Sequence, residues 1–343
     1  PGLLPAGLRS LSRTEALGGE TYRITARLAG QEAEIKPGWN LGLRHGRLLR
    51  AEIRDLLAAA ETRIQKDVLA RGAGLLLAPH AKQLGLEARE LVVPMLGRAA
   101  RRLQKHIPPE YISEMEGVAA GAGLPYDAIL LENTFLTLAE QTDPTALLTL
   151  PVRCTNVVAL GESTSMGQLI HASTLDWGME DVLRDRTVAL VMEPHHGHPF
   201  VSVTWPGMVG TLRAMGAQGI SITEESCAAK DDTRLDGLPV NLLMRPVVQY
   251  GDNLDAAVAV IRAARGTCGY KLTVADGQAL EGVPAGLVHT GRVRVVRAAH
   301  HRGLTGVKLV VLVGVQVDRE SLQTGLEPAA VAIMVAELAP RAD

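Results

Sequence analysis

The residue best suited to covalent chemistry is Cys154, which opens the segment Cys154-Thr155-Asn156. A thiol can act as a nucleophile when a base and an orienting group lie beside it. Asp176, followed by Trp177, closes the next candidate strand, so the sequence predicts a nucleophile and its supporting carboxylate on neighbouring strands of one sheet. The alternatives are a buried structural thiol at Cys154 and a turn-capping carboxylate at Asp176.

The other cysteines and the histidine cluster favour structure over chemistry. Cys227 and Cys268 complete an odd set of 3 cysteines without C-x-x-C spacing, which argues against a disulfide framework and a zinc site. The run His195-His196-Gly197-His198 could chelate a metal. It lacks a carboxylate at fixed spacing, so a solvated hairpin turn is the better interpretation. The sequence therefore predicts neither a metal nor a cofactor.

The composition of the chain limits the kinds of molecule that it is expected to bind. The chain has 343 residues with 35 Lys+Arg and 37 Asp+Glu, a net charge of −2, so nothing attracts nucleic acid or an anionic membrane. The longest apolar run, residues 309–317, is too short to span a bilayer. The chain begins at Pro1, which indicates a processed or trimmed N-terminus and leaves the compartment open. We expect a small or neutral molecule as the partner.

The first part of the chain is predicted to be mostly helical. After an arm at residues 1–20, we expect a strand or hairpin within 21–35 and a long amphipathic helix to about residue 69. A helix over 88–106 is expected to break or kink at Pro94. Ser113 and Glu116 form a capping-box pattern that predicts the start of the next helix. Another helix follows over 127–140, and residues 142–152 read as an exposed connector.

From Cys154 onwards the apolar pattern changes towards a period of two. Strands are predicted over 155–160, 169–175, 187–192, 200–205, 219–223, 272–275, 293–297 and 307–317. Helices are predicted over 239–250, 254–264 and 328–338. Strands clustered with a few helices indicate layered packing of sheets and helices in one α+β domain, with residues 21–153 and 154–343 as its two portions.

Eight short segments occur in a fixed order along the chain. They are GLRHG at 42–46, EGVAAGAGL at 116–124, CTN at 154–156, TLDW at 174–177, WPGMVG at 205–210, GISI at 219–222, GLP to LMR over 237–245, and VADG at 274–277. In this order they resemble the C45 acyl-coenzyme A:6-aminopenicillanate acyltransferase-like proteins, which are N-terminal-nucleophile (Ntn) hydrolases. The resemblance implies a four-layer αββα sandwich with a helical N-terminal portion.

The resemblance also implies a mechanism. The precursor would cut itself between Arg153 and Cys154, giving an α/β heterodimer of residues 1–153 and 154–343. The freed α-amine of Cys154, with an ordinary pKa of about 8, would take the thiol proton, and Asp176 would orient that amine. Backbone amides near Thr155 and Gly216 would hold the oxyanion. The acyl-thioester would pass to water or to an amine.

The sequence departs from the family pattern at four places. Ser173 stands where the family has an arginine, Gly216 where it has the asparagine of the oxyanion hole, and Arg153 where it often has glycine. A late Asn-His-Phe-like stretch corresponds to residues 299–301, again without asparagine. A shift of the alignment would place Gln218 near the oxyanion instead.

The remaining assignments concern the substrate pocket and the scaffold. Ser173, Trp177 and Ser226 are candidates to line the pocket, and Arg245 is interpreted as structural, pairing with a carboxylate. The sequence predicts a self-processing cysteine hydrolase or acyltransferase acting on linear amides such as N-acyl amino acids, peptides or acylated amines. The alternatives are an uncleaved, weakly active or inactive binding protein, and a thiol hydrolase that uses an internal Cys154 with a histidine.

Overall fold

The structure is a computed structural model that describes residues 20–25, 37–70, 73–139, 152–161, 163, 167–177, 179–226, 235–267, 270–277 and 292–297. Several predictions lie outside these residues: most of the N-terminal arm, the connector before residue 152, strand 307–317, helix 328–338, the stretch 299–301, Cys227 and Cys268.

Six helices make up the described first part of the chain. They are α1 (Trp39–Leu48), α2 (Arg50–Ala70), α3 (Ala73–Gln83), α4 (Val92–Leu103), α5 (Pro109–Ala122) and α6 (Tyr126–Ala139). The single long helix predicted to residue 69 is wrong, because the chain turns at Leu49 and divides it into α1 and α2. The predicted kink at Pro94 is also wrong. Pro94 lies in the first turn of α4, where its missing N–H leaves no helix hydrogen bond unmade.

The start of α5 differs from the predicted capping box. The helix begins at Pro109, four residues before Ser113, and Ser113 is buried inside it. Proline suits the first helical position because its fixed φ is helical and its absent N–H would be unbonded there. The capping-box prediction at Ser113 and Glu116 is therefore wrong. A reciprocal cap does form between Glu87 and Glu90, before α4.

Helices α1 and α5 pack unusually closely through glycines. Gly42 and Gly46 on α1 face Gly117 and Gly121 on α5, and a Cβ atom at any of the four would collide with backbone of the opposite helix. Both pairs are spaced by four residues, which places each pair on one helix face. Two of the segments that carry the family resemblance thus have a packing role here.

The described strands form two sheets. The strands are β1 (Glu20–Thr25), β2 (Val152–Gly161), β3 (Gly167–Trp177), β4 (Val188–Glu193), β5 (Phe200–Thr204), β6 (Arg213–Gly216), β7 (Ile220–Ser226), β8 (Tyr270–Asp276) and β9 (Arg292–Arg297). The larger sheet has the order β1-β4-β5-β6-β7-β8-β9, antiparallel except for the parallel pair β1–β4. Strands β2 and β3 form a separate antiparallel hairpin. Strand β6 was not predicted, since four residues are too few to show a period.

The hairpin packs on the larger sheet through β2 and β7. His171 of β3 contacts Ser221 and Thr223 of β7, so these hydroxyls meet the hairpin, and Ile220 and Ile222 of the same strand are fully buried. A short helix, α7 (Glu180–Leu183), precedes β4, and helices α8 (Val240–Tyr250) and α9 (Leu254–Ala263) pack against strands β6 to β9. The fold is α+β with antiparallel sheets, and the four-layer arrangement stays a prediction.

The turn between β4 and β5 carries the histidine run. Gly197 has a φ of 82°, and His198 Nε2 lies 2.7 Å from Asp252 Oδ1. The predicted hairpin turn is confirmed. Within the described ranges, no group of three or more His, Cys, Asp or Glu side chains could hold a metal ion. In the same ranges, no helix combines the length and the apolar character needed to cross a bilayer.

A buried ion pair joins the two portions of the chain. Arg245 of α8 lies 2.7 Å from Glu114 of α5, and both side chains are almost fully buried. Arg245 also donates to the carbonyl of Val209 and to Gln249. The structural role predicted for Arg245 is confirmed.

Candidate active site

Cys154 is the third residue of β2 and lies on the face of the hairpin that meets the larger sheet. Directly paired residues of an antiparallel ladder share a face. Cys154 pairs with Leu175, Asn156 with Ser173, and the next such pair includes His171, which contacts β7. Cys154 is not part of a disulfide and is half-buried. The Cys154 side chain therefore points into the space between the two sheets.

The thiol meets a buried carboxyl group there. Cys154 Sγ lies 3.7 Å from Glu224 Oε1 and 4.0 Å from Oε2, so the thiol can donate a hydrogen bond to the carboxylate. Glu224, on β7, is fully buried. Burial raises the pKa of Glu224, while Arg213 and the thiol hydrogen bond act against that rise. A carboxyl group with a raised pKa can exchange protons with a nearby thiol.

Arg213 of β6 completes the cluster. Its Nη1 lies 3.7 Å from Glu224 Oε1. Its Nε donates to Ser173 Oγ at 3.0 Å, and its Nη2 donates to the carbonyl of Thr174 at 2.9 Å. Ser173 is the position where the resembled family has an arginine. A guanidinium from another strand thus contacts that position and supplies the positive charge beside Glu224.

His171 has a structural role beside this cluster. Its Nδ1 lies 2.8 Å from Ser221 Oγ and its Nε2 2.8 Å from Thr223 Oγ1. Burial, and secondarily Arg213, lowers the pKa of His171 to about 4. Because both ring nitrogens are engaged by hydroxyl groups, His171 is a poor proton acceptor for the thiol. This weighs against an internal Cys-His dyad built on the histidine of this hairpin.

Asn156 places an unused amide on the same strand face. Its side chain is 1% exposed, and neither the Oδ1 nor the Nδ2 atom has a hydrogen-bond partner within the described structure. Buried polar groups without partners are uncommon and often belong to functional sites. Two residues along β2 from the thiol, this amide is a candidate donor to a substrate carbonyl.

The predicted cleavage and supporting residues lie on the same hairpin. Arg153 and Cys154 are both inside β2, and the ladder pairs Asp176 with Arg153. The side-chain positions of Arg153 and Asp176 are outside the description, as is that of Trp177. Thr155 is exposed, so only its backbone amide could serve the site. The roles of these residues stay predictions.

The other predicted site residues are distributed differently. Ser173 adjoins the cluster through Arg213. Gly216 closes the opposite end of β6 from Arg213, against Gln218 and Val248. Gln218 donates to two carbonyl oxygens of the α8 region and is occupied there. Ser226 ends β7, opposite Tyr270, with its side chain outside the description. The structure brings Ser173 to the cluster and gives neither Gly216 nor Gln218 a contact with the thiol.

Sequence reasoning missed Glu224, Arg213 and Asn156. The available signal for Glu224 was weak, because strand β7 carries two adjacent glutamates, Glu224 and Glu225, and the sequence does not distinguish them. Arg213 lies on a strand too short to be predicted. Asn156 was visible only as part of the cysteine segment. Each is recognised here by its contacts or its burial.

Comparison with known proteins gives distant likenesses. No family model matches the chain. An uncharacterized protein of Archaeoglobus fulgidus is 28% identical over 260 residues, covering 71% of this chain and 40% of that protein. Dictyostelium discoideum proteins dcd1B and dcd1A are 24% and 26% identical, over 70% and 69% of this chain and 46% and 53% of their own lengths. The chain thus spans about half the length of the curated relatives it matches.

Among solved structures, the chain is similar to the Caenorhabditis elegans N-acylethanolamine-hydrolyzing acid amidase (NAAA) ortholog. The identity is 20% and the TM-score is 0.30, with 43% of this chain and 64% of that chain covered. A likeness of this extent supports no conclusion about mechanism, so the function has to be inferred from the site itself.

Proposed function

We propose that the chain is a self-processing cysteine hydrolase or acyltransferase of the Ntn type, with Cys154 as nucleophile and linear amides as substrates. The observation that carries the proposal is the contact of the Cys154 thiol with the fully buried carboxyl group of Glu224, at 3.7 Å. A thiol, a buried proton acceptor and an adjacent guanidinium are suited to acyl transfer.

Self-processing begins with attack of Cys154 Sγ on the carbonyl carbon of Arg153. The S–C bond forms, the Arg153–Cys154 C–N bond breaks, and the thiol proton passes through Glu224 to the leaving α-amine. Water then hydrolyses the thioester, which leaves a carboxylate on Arg153 and restores the thiol. The products are residues 1–153 and 154–343. In the ladder, Asp176 lies beside the new amino terminus, opposite Arg153.

Turnover repeats the same chemistry on an added amide. The free α-amine of Cys154 takes the thiol proton while Sγ attacks the substrate carbonyl, and the proton then goes to the leaving amine. Water or a second amine accepts the acyl group. The unpartnered amide of Asn156 is placed to donate to the developing oxyanion, a role in which one donor contributes about 10²–10³ in rate.

Intact mass spectrometry tests the proposal. The wild-type chain should separate into fragments that divide between Arg153 and Cys154, and Cys154→Ala should remain one chain. Glu224→Gln should process slowly. Glu225→Gln is the matched control, because Glu225 is the adjacent carboxylate and pairs with Lys271. Equal processing of the two glutamate variants would remove Glu224 from the mechanism.

The same measurement separates the rival function. A wild-type chain that stays uncut, with no acyl adduct on Cys154 after incubation with N-acyl amino acid amides, would contradict the enzyme. It would favour the uncleaved binding protein. An adduct of acyl mass on residues 154–343 would establish the thioester and justify comparison of water with amine acceptors.

A further inference from the structure

An apolar cavity lies among the helices of the first part of the chain, apart from the cluster at Cys154. Helices α2 and α6 form most of its wall, and Trp205 and Met208, just after β5, close one side. The cavity has a volume of about 120 Å³ and an open mouth. An apolar cavity of roughly 150 Å³ is large enough to bind a small hydrocarbon such as benzene. Neither Cys154 nor Glu224 lines it.

The charged groups of the cavity are both acidic. Among the described residues that line it, the ionisable side chains are Glu61 and Glu132, with no lysine, arginine or histidine. Glu61 is exposed to solvent. Both carboxylate oxygens of Glu132 are buried. A bound molecule would therefore meet a mostly hydrocarbon wall in which Glu132 is the buried acidic residue.

Glu132 has no partner in the described part of the chain. Neither of its oxygens has a hydrogen bond, and burial raises its pKa well above the usual value. A buried carboxyl group without a partner is destabilising. Such a group needs an explanation, and an absent ligand is one.

The neighbouring Asn133 shows that Glu132 is not needed to hold the adjacent loop. Asn133 Nδ2 donates to the carbonyls of Ile129 and Gly207, and its Oδ1 accepts from the Val209 amide. Gly207, with a φ of 95°, packs directly against the Glu132 carboxyl, where a side chain would collide with it. The loop thus covers the carboxyl on one side, and the cavity adjoins Glu132 on another.

We propose that this cavity binds an apolar molecule carrying one protonated amine, with its hydrocarbon part against α2 and α6 and its ammonium group on Glu132. The ammonium supplies the positive charge that no described lining residue provides. An alcohol of the same length would fill the cavity without that charge, and a carboxylic acid would add a third acidic group. The proposal does not depend on Cys154 being a nucleophile.

Isothermal titration calorimetry of the full chain tests this, with decylamine, decanol and decanoate as probes. Decylamine should bind at least about tenfold more tightly than decanol, and decanoate should bind most weakly. A neutral Glu132 must lose a proton to pair with the ammonium. The measured enthalpy for decylamine should therefore vary with the ionisation enthalpy of the buffer.

Variants assign the effect to Glu132. Glu132→Gln should weaken decylamine binding at least about tenfold and remove the buffer dependence, while decanol binding persists. Glu52→Gln, on α2 outside the cavity lining, is the control and should bind like the wild type. Equal wild-type affinities for decylamine and decanol, or no binding of either, would overturn the proposal. So would unchanged decylamine binding in Glu132→Gln, and the wild-type comparison decides even if that variant misfolds.

Discussion

Arg245 and Glu114 form a buried ion pair in which Arg245 Nη1 lies 2.7 Å from Glu114 Oε2. The two residues stand on opposite sides of the Arg153–Cys154 bond along the chain. Arg245 lies above the ring of Tyr111 as well, 4.8 Å from its centroid. Since Glu114 precedes the predicted cleavage point and Arg245 follows it, this contact would hold the two products together. If the chain is processed as proposed, we expect this ion pair to help keep the two products together as an α/β heterodimer.

Removal of one partner of this pair should be strongly destabilising. Arg245→Met leaves the Glu114 carboxylate buried without its cation, and we expect a loss of about 3–5 kcal/mol in the free energy of unfolding. Arg265→Met is the control, because Arg265 and Asp236 form an exposed pair that should contribute about 1 kcal/mol or less. Urea unfolding measures both. A loss below that of the control would show that the buried pair is not coupled to folding.

The close contact of α1 and α5 gives a second prediction. Gly117→Ala forces a Cβ into the backbone of α1, and we expect a loss of about 2–3 kcal/mol from overpacking. Gly97→Ala on α4 meets no atom within 4 Å, so its better helix propensity should stabilise by about 0.5–1 kcal/mol. Thermal unfolding of the two variants compares the same change in two packing environments. Equal shifts in Tm would refute the close approach.

Local patterns predicted much of the secondary structure. Helices α6, α8 and α9 were predicted within one or two residues, and the cap of α9 is visible as Asn253 accepting from the Ala256 amide. The wrong helix boundaries also have local causes. The turn at Leu49 interrupts a continuous apolar pattern, and the Pro109 start of α5 overrode a plausible cap at Ser113.

The candidate site was less predictable because its contacts are long-range. Cys154 was found by residue type, but Glu224 is 70 positions away and comes to it only through packing of the hairpin on the larger sheet. Arg213 reaches Ser173 across 40 positions. Neither spacing has a local signal. The family resemblance pointed to residues 173 and 216. In the structure, the carboxyl group beside the thiol is that of Glu224, and Arg213 lies next to Glu224.

Glu132 predicts a pH dependence of stability. Below its usual pKa of 4.5 the carboxyl is protonated in folded and unfolded chains alike. Above that pH the unfolded chain ionises while burial keeps the folded group protonated, so stability falls by about 1.4 kcal/mol per pH unit until the raised pKa is passed. Urea unfolding at pH 5 and 7 should show Glu132→Gln gaining stability relative to wild type as pH rises. Glu61→Gln should follow the wild type. Parallel profiles for wild type and Glu132→Gln would contradict the raised pKa.

Arg213 is expected to influence the self-cleavage reaction because its positive charge lowers the pKa of Glu224. Burial raises that pKa and the guanidinium opposes the rise, so Arg213→Met should raise it further and leave the carboxyl protonated to a higher pH. If processing needs the ionised carboxylate to accept the thiol proton, its pH midpoint should move upward in Arg213→Met. Arg213→Lys keeps the charge but loses the two-pronged contact with Ser173 and Thr174, and should lie between. Arg184→Met, at an exposed arginine, is the control. A uniform decrease in rate at every pH would indicate a merely structural role for Arg213, whereas a shifted midpoint is the signature of an electrostatic one.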